Sequence, residues 1–308
     1  MKQVLVIGGT YFAGRVFSIL TSRENKVHLH VVNRGRYPLN NLNNVSQYVC
    51  DRHDTQKLTE VLPKDIVFDA VVDFCGYEPM DIANIIAALP GRIKQYIFIS
   101  TSSVYEPGDG SMKSETDPML HDFSPDVVQE YILKKCLLEL ELRTECEKDG
   151  IPFTILRPAF IYGPFNYAPR ESYFIQLIVE KKPVPVPTDA TSKFSFVYVM
   201  DVSDIINLCI GNEKAYNEIF NLAAPEQLTY ETVISELEHL NGEPFAKQPV
   251  TVEEVLRDNI PLPYPLDEDE LYSGEKVQSV LGYTYTPFSK GMTKTFDVFK
   301  DVFTHRGS

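Results

Sequence analysis

Tryptophan is absent from this 308-residue sequence, and its few cysteines are scattered. They are Cys50, Cys75, Cys136, Cys146 and Cys209, and no two of them form a CxxC pair. An odd, widely spaced set is neither a disulfide framework nor a zinc site. We therefore predict a protein of the reducing cytoplasm that holds no metal.

Basic charge is also scarce, because 29 Lys and Arg residues stand against 43 Asp and Glu residues, a formal net charge of −14. Non-specific nucleic-acid binding needs a basic surface that displaces counterions from phosphate. No segment approaches the roughly 20 apolar residues of a membrane-spanning helix. The apolar start of the chain ends at Gly8, which is too soon for a signal peptide. We expect a soluble protein without nucleic-acid or membrane partners.

The first half of the chain contains short β-branched segments that alternate with helical patterns. The predicted strands lie at residues 4–7, 27–32, 46–49, 70–74, 96–99 and 153–156. The predicted helices lie at residues 14–22 and 80–89, and a long third helix begins at Ser124 and Pro125 and ends at Gly150. Apolar strands separated by helices indicate a parallel sheet covered on both faces. The predicted fold class is α/β, with a Rossmann-type, doubly wound sheet.

Proline becomes more frequent beyond residue 164, notably at residues 183–187 and 260–270, which we interpret as loops. This change predicts a smaller, mixed C-terminal lobe whose loops form a substrate pocket. The predicted dinucleotide-binding domain is 1–164, to which 195–224 returns, and the predicted substrate lobe is 165–194 and 225–308.

A glycine-rich segment joins the first predicted strand to the first predicted helix. Gly8 and Gly9 permit a tight turn, and Gly14 lets the helix lie close to the sheet. The N-terminus of that helix offers unpaired N–H groups to a pyrophosphate. The alternative is a glycine-rich loop without a ligand, but its place at the start of a βαβ unit favours the dinucleotide. The predicted contacts are Gly8, Thr10, Tyr11, Phe12 and Gly14.

Cofactor choice depends on the end of the second strand, where an acidic residue would accept hydrogen bonds from the ribose of NAD. Here the strand ends in Asn33, Arg34, Gly35 and Arg36, without an acid. Because arginine matches a 2′-phosphate in geometry, we expect NADP in preference to NAD, with Asn33 and Arg34 as contacts. The two arginines could instead be ordinary surface charges. Asp51 either faces the adenine or caps a turn.

Tyr131 and Lys135 are four residues apart on the long helix and therefore project from one face. A neighbouring ammonium lowers the pKa of a phenol, which then serves as a general acid or base. Such pairs are common on amphipathic helices, but this pair follows the fifth strand, which ends in Ser100, Thr101 and Ser102. Ligands bind at the carboxyl ends of strands in such sheets.

Taken together, these segments resemble the extended or atypical short-chain dehydrogenase/reductases, grouped as the NAD-dependent epimerase/dehydratase family. The matching segments run through almost the whole chain: Gly8-Gly9 with Gly14, 100–105, Tyr131 with Lys135, 157–164, 196–202, 220–222, and Lys276 to Gly291. Their common order and spacing make the resemblance specific.

The resemblance implies Tyr131 as the acid/base, Lys135 as the residue that tunes it and anchors the ribose, and Thr101 as the hydroxyl that binds the substrate oxygen. Ser100 and Ser102 are weaker stand-ins for Thr101, and Pro158 begins the segment that passes the nicotinamide. Tyr162 leads into the substrate lobe. For the substrate we further name Ser102, Tyr162, Arg170 and Lys193, although the last two could be solvated surface charges. The resemblance also implies a homodimer formed through the Tyr131 helix.

The chain departs from the family pattern at three places. Tyr11 replaces the middle glycine of the turn, as in atypical branches that include the chloroplast stem-loop-binding proteins and bacterial reductase-like relatives. The segment 74–77 replaces a run of small residues beside the nicotinamide ribose. Ser102 and Ser103 stand where 4,6-dehydratases have an Asp-Glu pair, which disfavours that reaction.

The sequence thus predicts an NAD(P)-dependent epimerase or reductase acting on a sugar or nucleotide sugar. The alternatives are a non-catalytic, RNA-associated protein of the same fold and a regulator that senses redox state through NADP.

Overall fold

The computed structural model describes residues 1–39, 41–121 and 126–306. Its twelve strands are β1 Lys2–Ile7, β2 Val27–Asn33, β3 Val45–Val49, β4 Ala70–Asp73, β5 Tyr96–Ile99, β6 Phe153–Pro158, β7 Phe160–Tyr162, β8 Val184–Pro187, β9 Phe194–Tyr198, β10 Glu218–Leu222, β11 Gln227–Leu228 and β12 Lys247–Val250. Its ten α-helices are α1 Phe12–Thr21, α2 Thr55–Val61, α3 Asp81–Ala88, α4 Val127–Asp149, α5 Glu171–Val179, α6 Val199–Cys209, α7 Tyr230–Asn241, α8 Val252–Asp258, α9 Glu275–Leu281 and α10 Phe288–Arg306.

Seven parallel strands form the central sheet in the order β10-β6-β5-β4-β1-β2-β3. The predicted doubly wound α/β sheet is therefore confirmed, and all six predicted strands belong to it. The strand order reverses between β1 and β4. Ligands of such sheets bind at the carboxyl ends of the strands flanking this reversal.

Alternate residues of β1 enter two different cores, because successive side chains of a strand point to opposite faces. Val4 and Val6 pack in one cluster with Phe17 of α1 and Ile206 of α6. Leu5 and Ile7 pack in another cluster that includes residues of α2, α3 and α4. Burial on both faces explains the continuous apolar runs that identified these strands.

Helix α4 is described from Val127 to Asp149. Its N-cap is Asp126, whose side chain accepts a hydrogen bond from the Gln129 N–H. The predicted start at Ser124 and Pro125 lies outside the described residues. The predicted end is correct, since Gly150 caps the helix at φ +66°, a conformation that favours glycine.

The remaining strands build two small sheets, β11-β9-β7 and β12-β8. The loop predicted at residues 183–187 is wrong, because β8 lies there and pairs in parallel with β12. Val184 donates its N–H to Ala246, whereas Pro185 and Pro187 have no N–H to donate and take the alternate positions. Proline fits an edge strand only in this way. The proposed division into two domains stays a prediction.

None of the described helices is both long and apolar enough to cross a membrane. Among the described residues, no three His, Cys, Asp or Glu side chains gather in a way that could hold a metal ion.

A buried histidine in β2 makes stability depend on pH. His30 bonds to the Tyr48 hydroxyl and the Gln3 amide oxygen, and burial lowers its pKa to about 4, with His28 contributing. Between pH 6.5 and 4 the His30 imidazole binds a proton in the unfolded chain but not in the folded chain. The free energy of unfolding therefore falls as pH falls. We expect this residue to cost up to about 3 kcal/mol over that range.

Urea unfolding of the parent and of His30→Gln at several pH values measures the effect. The variant should lose less stability on acidification, because glutamine does not titrate. Parallel curves for the two proteins would contradict the assignment.

Candidate functional site: a cleft at the carboxyl edge of the central sheet

A cleft of about 710 Å³ opens at the carboxyl ends of β1, β4 and β5, where the strand order reverses. Fourteen of the predicted site residues line it: Gly8, Thr10, Tyr11, Phe12, Gly14, Asn33, Arg34, Asp51, Ser100, Thr101, Tyr131, Lys135, Pro158 and Arg170. The fold thus brings together segments that are up to 160 residues apart in sequence. Their individual roles stay predictions.

The glycine-rich turn brings the start of α1 against the sheet edge. Gly8 and Gly9 have φ values of +98° and +63°, in the region that favours glycine. A Cβ on Gly14 would lie 2.9 Å from the Gly9 Cα, so only glycine permits this approach. The N-cap residue, Tyr11, makes no side-chain cap bond to the helix. The first N–H groups of α1 are therefore suited to an anion in the cleft.

Tyr11, which replaces the usual glycine, lies at the centre of a row of three tyrosines. Its ring stacks on Tyr37 at 5.4 Å between centroids and on Tyr167 at 4.8 Å. Tyr37 follows β2, and Tyr167 belongs to the loop before α5. The row therefore joins the glycine-rich turn to loops on both sides, and all three rings line the cleft.

The end of β2 presents an amide and two arginines to the cleft. The Asn33 side-chain oxygen accepts from the Gly35 N–H at 2.6 Å and from Gln47 at 3.1 Å. The Asn33 amide nitrogen is buried without a hydrogen-bond partner among the described residues. Arg34 and Arg36 are exposed and line the cleft. The Asn33 amide N–H groups, which have no other partner among the described residues, lie beside two guanidinium groups. This combination suits an anionic ligand that is rich in hydrogen-bond acceptors.

Asp51 lines the cleft and also caps a turn, and its contact with the adenine stays a prediction. One of its oxygens accepts from the His53 N–H at 3.0 Å, and this bond lowers the Asp51 pKa. The other carboxylate oxygen has capacity left for a ligand donor.

The predicted catalytic residues meet on the opposite wall of the cleft. Tyr131 and Lys135 project from α4, and Thr101 follows β5. A hydrogen bond with Thr101 acts on the Tyr131 phenol. The Lys135 nitrogen lies 6.0 Å from the centroid of the Tyr131 ring.

Lys135 is almost completely buried, with 2% of its surface exposed. Its ammonium donates to the carbonyls of Gly76 at 2.9 Å and Ile99 at 3.0 Å. The rings of Tyr77 and Phe98 flank it at 4.6 and 4.7 Å. Burial lowers the pKa of Lys135 to about 8, although the Asp73 charge opposes this shift.

Lys135 is not among the groups that shift the Tyr131 pKa in this structure, and its tuning role stays a prediction. The walls of the cleft desolvate the phenol and raise its pKa to about 12, and only Thr101 and Arg170 act in the other direction. The Lys135 ammonium is directed at two carbonyls instead of the phenol. Tyr131 is therefore a protonated group at neutral pH in this arrangement, suited to donate a proton.

Ser100 lines the cleft, but its hydroxyl is already used. It donates to Glu139 at 2.6 Å, and Glu139 forms a buried ion pair with Arg157 at 2.6 Å. The sequence analysis did not name Glu139, although Tyr131, Lys135 and Glu139 follow one another at intervals of four residues along α4. The pair ties the ends of β5 and β6 to α4, which fixes the wall that contains Thr101.

The four residues predicted to bind substrate lie in different surroundings. Arg170 lines the cleft and packs over Phe160 at 5.0 Å. Tyr162 is 2% exposed, and its hydroxyl donates to the Phe288 carbonyl, so this prediction is wrong. Ser102 is 3% exposed and its hydroxyl bonds to Tyr272. Lys193 is exposed, and neither it nor Ser102 belongs to the described lining of the cleft.

An arginine that the sequence analysis did not name also lines the cleft. Arg52 bonds to both carboxylate oxygens of Asp73 at 2.8 Å and to the Asp81 carbonyl at 2.7 Å. The Tyr96 hydroxyl also donates to Asp73, at 2.7 Å. The available signal was an Arg directly after Asp51 and an Asp closing a buried strand.

Comparison with known proteins places this architecture in a family. The family model for the NAD dependent epimerase/dehydratase family matches residues 4–223. Chloroplast stem-loop binding protein of 41 kDa b from Arabidopsis thaliana is 30% identical over 244 residues, which is 75% of this chain and 61% of that protein. UDP-glucose 4-epimerase from Vibrio cholerae is 26% identical over 165 residues, 54% of this chain and 49% of that protein. The chain thus spans about half to three fifths of these relatives.

Solved structures share the fold along the whole chain. The UDP-glucose 4-epimerase of Thermotoga maritima, solved with UDP-glucose, has a TM-score of 0.79 at 21% identity and covers 97% of this chain and 99% of its own. The UDP-glucuronic acid 4-epimerase of Bacillus cereus, solved with UDP-glucuronic acid and NAD, has a TM-score of 0.78 at 20% identity, with coverages of 97% and 99%. With more than half of its length matched by the family model, this chain belongs to the NAD-dependent epimerase/dehydratase family.

Proposed function

We propose that this protein is an NAD(P)-dependent epimerase or reductase that acts on a nucleotide sugar. The observation that carries the proposal is the placement of Tyr131, Thr101 and Lys135 in one wall of a cleft whose other end is the N-terminus of α1. A dinucleotide is long enough to reach from one end to the other. The epimerases named above, from the same family, act on UDP-sugars and thereby support the substrate class.

The residues present fit a dinucleotide. The uncapped start of α1 and the Gly8–Gly9 turn would hold its diphosphate. The unpartnered Asn33 nitrogen and Arg34 would hold the adenosine ribose or its 2′-phosphate. Lys135 would hold the second ribose. When bound, the nicotinamide supplies hydride transfer.

Each residue of the catalytic wall has a distinct task. Tyr131 is protonated at neutral pH, so it can donate its proton to an oxygen that gains negative charge at the sugar carbon. Thr101 is placed to hydrogen-bond the same oxygen and thereby orient it. Arg170 supplies a positive charge beside the smaller lobe, where a substrate phosphate would lie.

A panel assay tests the proposal. Because the chain has no tryptophan, NADPH binding can be followed by energy transfer from tyrosine to the nicotinamide. Protein supplied with NAD⁺ or NADP⁺ is offered UDP-sugars, and epimerised product is detected by NMR. Protein supplied with NADPH is offered sugar carbonyls, and NADPH oxidation is followed by absorbance. We expect saturable binding and conversion of at least one compound class. Binding without any conversion would instead favour a non-catalytic NADP-binding protein.

The preference for NADP rests on Arg34. Replacing Arg34 by alanine should weaken NADPH binding about tenfold while NADH binding changes little, because a charge-assisted bond to a phosphate is worth about 1.5–3 kcal/mol. Titration of both cofactors against parent and variant measures the ratio.

Arg143→Ala is the matched control, since its guanidinium packs over Phe153 and does not line the cleft. It should bind both cofactors like the parent. Equal weakening of NADPH and NADH in Arg34→Ala would show that this arginine does not recognise the 2′-phosphate.

A further inference from the structure

The turn after β4, residues 75–78, is held in place through contacts of one buried arginine, Arg52. Arg52 forms a bidentate pair with Asp73, and its Nε lies 3.3 Å from the Asp81 carboxylate. All three side chains are buried, with exposures of 8%, 0% and 2%. The guanidinium thus bonds to the carboxylate at the end of β4 and to the Asp81 carbonyl at the start of α3. The Asp81 carboxylate lies beside Arg52 and pairs with His53 at 2.9 Å.

Both carboxylates also accept hydrogen bonds from the backbone of that turn. Asp73 accepts from the Cys75 N–H at 3.0 Å. Asp81 accepts from the N–H groups of Tyr77 at 2.8 Å and Glu78 at 3.0 Å. Three of the four backbone N–H groups from 75 to 78 thus donate to the carboxylates of Asp73 and Asp81, both of which lie against Arg52.

The remaining residue of the turn, Gly76, contacts the wall of the cleft that contains Lys135. The Gly76 carbonyl accepts from the Lys135 ammonium at 2.9 Å, and the Tyr77 ring covers that ammonium at 4.6 Å. A Cβ on Gly76 would lie 2.8 Å from the Phe98 ring, so the turn has no room to slide along β5. The position of Lys135 depends on the position of this turn.

We propose that Arg52 and Asp73 are positioning residues: through the turn 75–78 they hold the Lys135 ammonium in the wall of the cleft. The significance of this for turnover rests on the proposed function. The loop that contains Arg52 also contains Asp51, so the same guanidinium connects the two ends of the cleft.

Several other groups surround Lys135 and influence its titration. The charged and titratable side chains that act on it are Asp73, Cys75, Arg52 and Glu139, and the phenols of Tyr77 and Tyr131 lie beside it. Asp73 is the strongest of the charges that favour its protonated form.

NMR of cofactor-free protein labelled with ¹³C at lysine Cε measures Lys135 directly, with its signal assigned by Lys135→Arg. The rings of Tyr77 and Phe98 should shift the Cε resonance of Lys135 away from those of the other lysines. The Lys135 amine should also titrate at a lower pH than the other lysines. In Asp73→Asn, an amide nitrogen faces Arg52 and the turn loosens. We expect the ring displacement to shrink and the Lys135 titration to move down by about one pH unit.

Asp69→Asn is the matched control, because Asp69 precedes the same strand and pairs with exposed Lys94. It should leave the Lys135 signal unchanged. If Asp73→Asn does not fold, Arg52→Met/Asp73→Leu removes both charges and leaves neither unpaired. The ring displacement should again shrink, whereas the Lys135 titration should move less, because the Asp73 and Arg52 charges act on the Lys135 pKa in opposite directions. A folded variant of either kind with the parent's Lys135 signal would overturn the proposal.

The experiment contains neither cofactor nor substrate, so its result is independent of the proposed function. A displaced Lys135 signal in a protein that converts no sugar would uphold the positioning role and remove only the assignment as an enzyme.

Discussion

Replacing Tyr131 by phenylalanine is expected to reduce turnover at least about 100-fold, the lower range for a lost acid/base group, while NADPH affinity stays close to that of the parent. The variant keeps the ring and removes only the hydroxyl. The remaining residues of the wall, Thr101 and Lys135, still bind and orient ligands but cannot donate the phenol's proton.

Steady-state rates with the substrate found in the panel, combined with cofactor titration, separate the two effects. Tyr173→Phe makes the same chemical change at a residue of α5 that does not line the cleft, and it should retain full turnover. If Tyr131→Phe is as active as the parent, another group moves the proton. If it loses NADPH binding as well, the hydroxyl supports the cofactor instead of the chemistry.

The raised pKa of Tyr131 makes the two proposed directions of reaction unequal. A protonated phenol is ready to donate to a carbonyl that is being reduced. Oxidation of a hydroxyl needs the phenolate, which the free protein disfavours at neutral pH. A turnover pH profile that differs between directions would reflect this.

The central sheet could be predicted because its strands carry their signal locally. A strand buried on both faces, such as β4 or β5, is a short apolar run between turn residues. The glycine turn and the pair on α4 also follow from spacing along the chain. These features depend on few long-range contacts.

The smaller lobe could not be predicted in the same way. Proline run 183–187 forms a strand only because β12, about 60 residues later, supplies its partner. Tyr162 lies in a motif beside the cleft, yet its ring is taken up by a core with Phe196 and Phe288. Such outcomes are decided by packing between distant segments.

The same reasoning explains why Arg52 was overlooked. A charged residue in a loop is ordinarily solvated, and nothing near Arg52 in sequence announces two buried carboxylates. Asp73 and Asp81 become its partners only when β3, β4 and α3 come together. Local pattern identifies the cleft, and tertiary contacts determine which side chains are held rigid within it.

Replacing Gly14 by alanine is expected to weaken dinucleotide binding about 10- to 100-fold, because its Cβ would lie 2.9 Å from the Gly9 Cα and must push α1 away from the turn. Overpacking of this kind costs about 1–3 kcal/mol. The displaced helix would no longer direct its first N–H groups at the diphosphate. Thermal shift against NADPH concentration measures the loss.

Gly291→Ala provides the comparison, since a Cβ there is still more crowded but meets the Tyr162 hydroxyl, outside the cleft lining. Both variants should melt at a lower temperature than the parent. Only Gly14→Ala should lose the stabilisation that NADPH confers, because only there does the strain fall on the binding turn. If Gly14→Ala keeps the parent's dependence on NADPH, the diphosphate does not bind at the start of α1, and the orientation proposed for the whole dinucleotide is wrong.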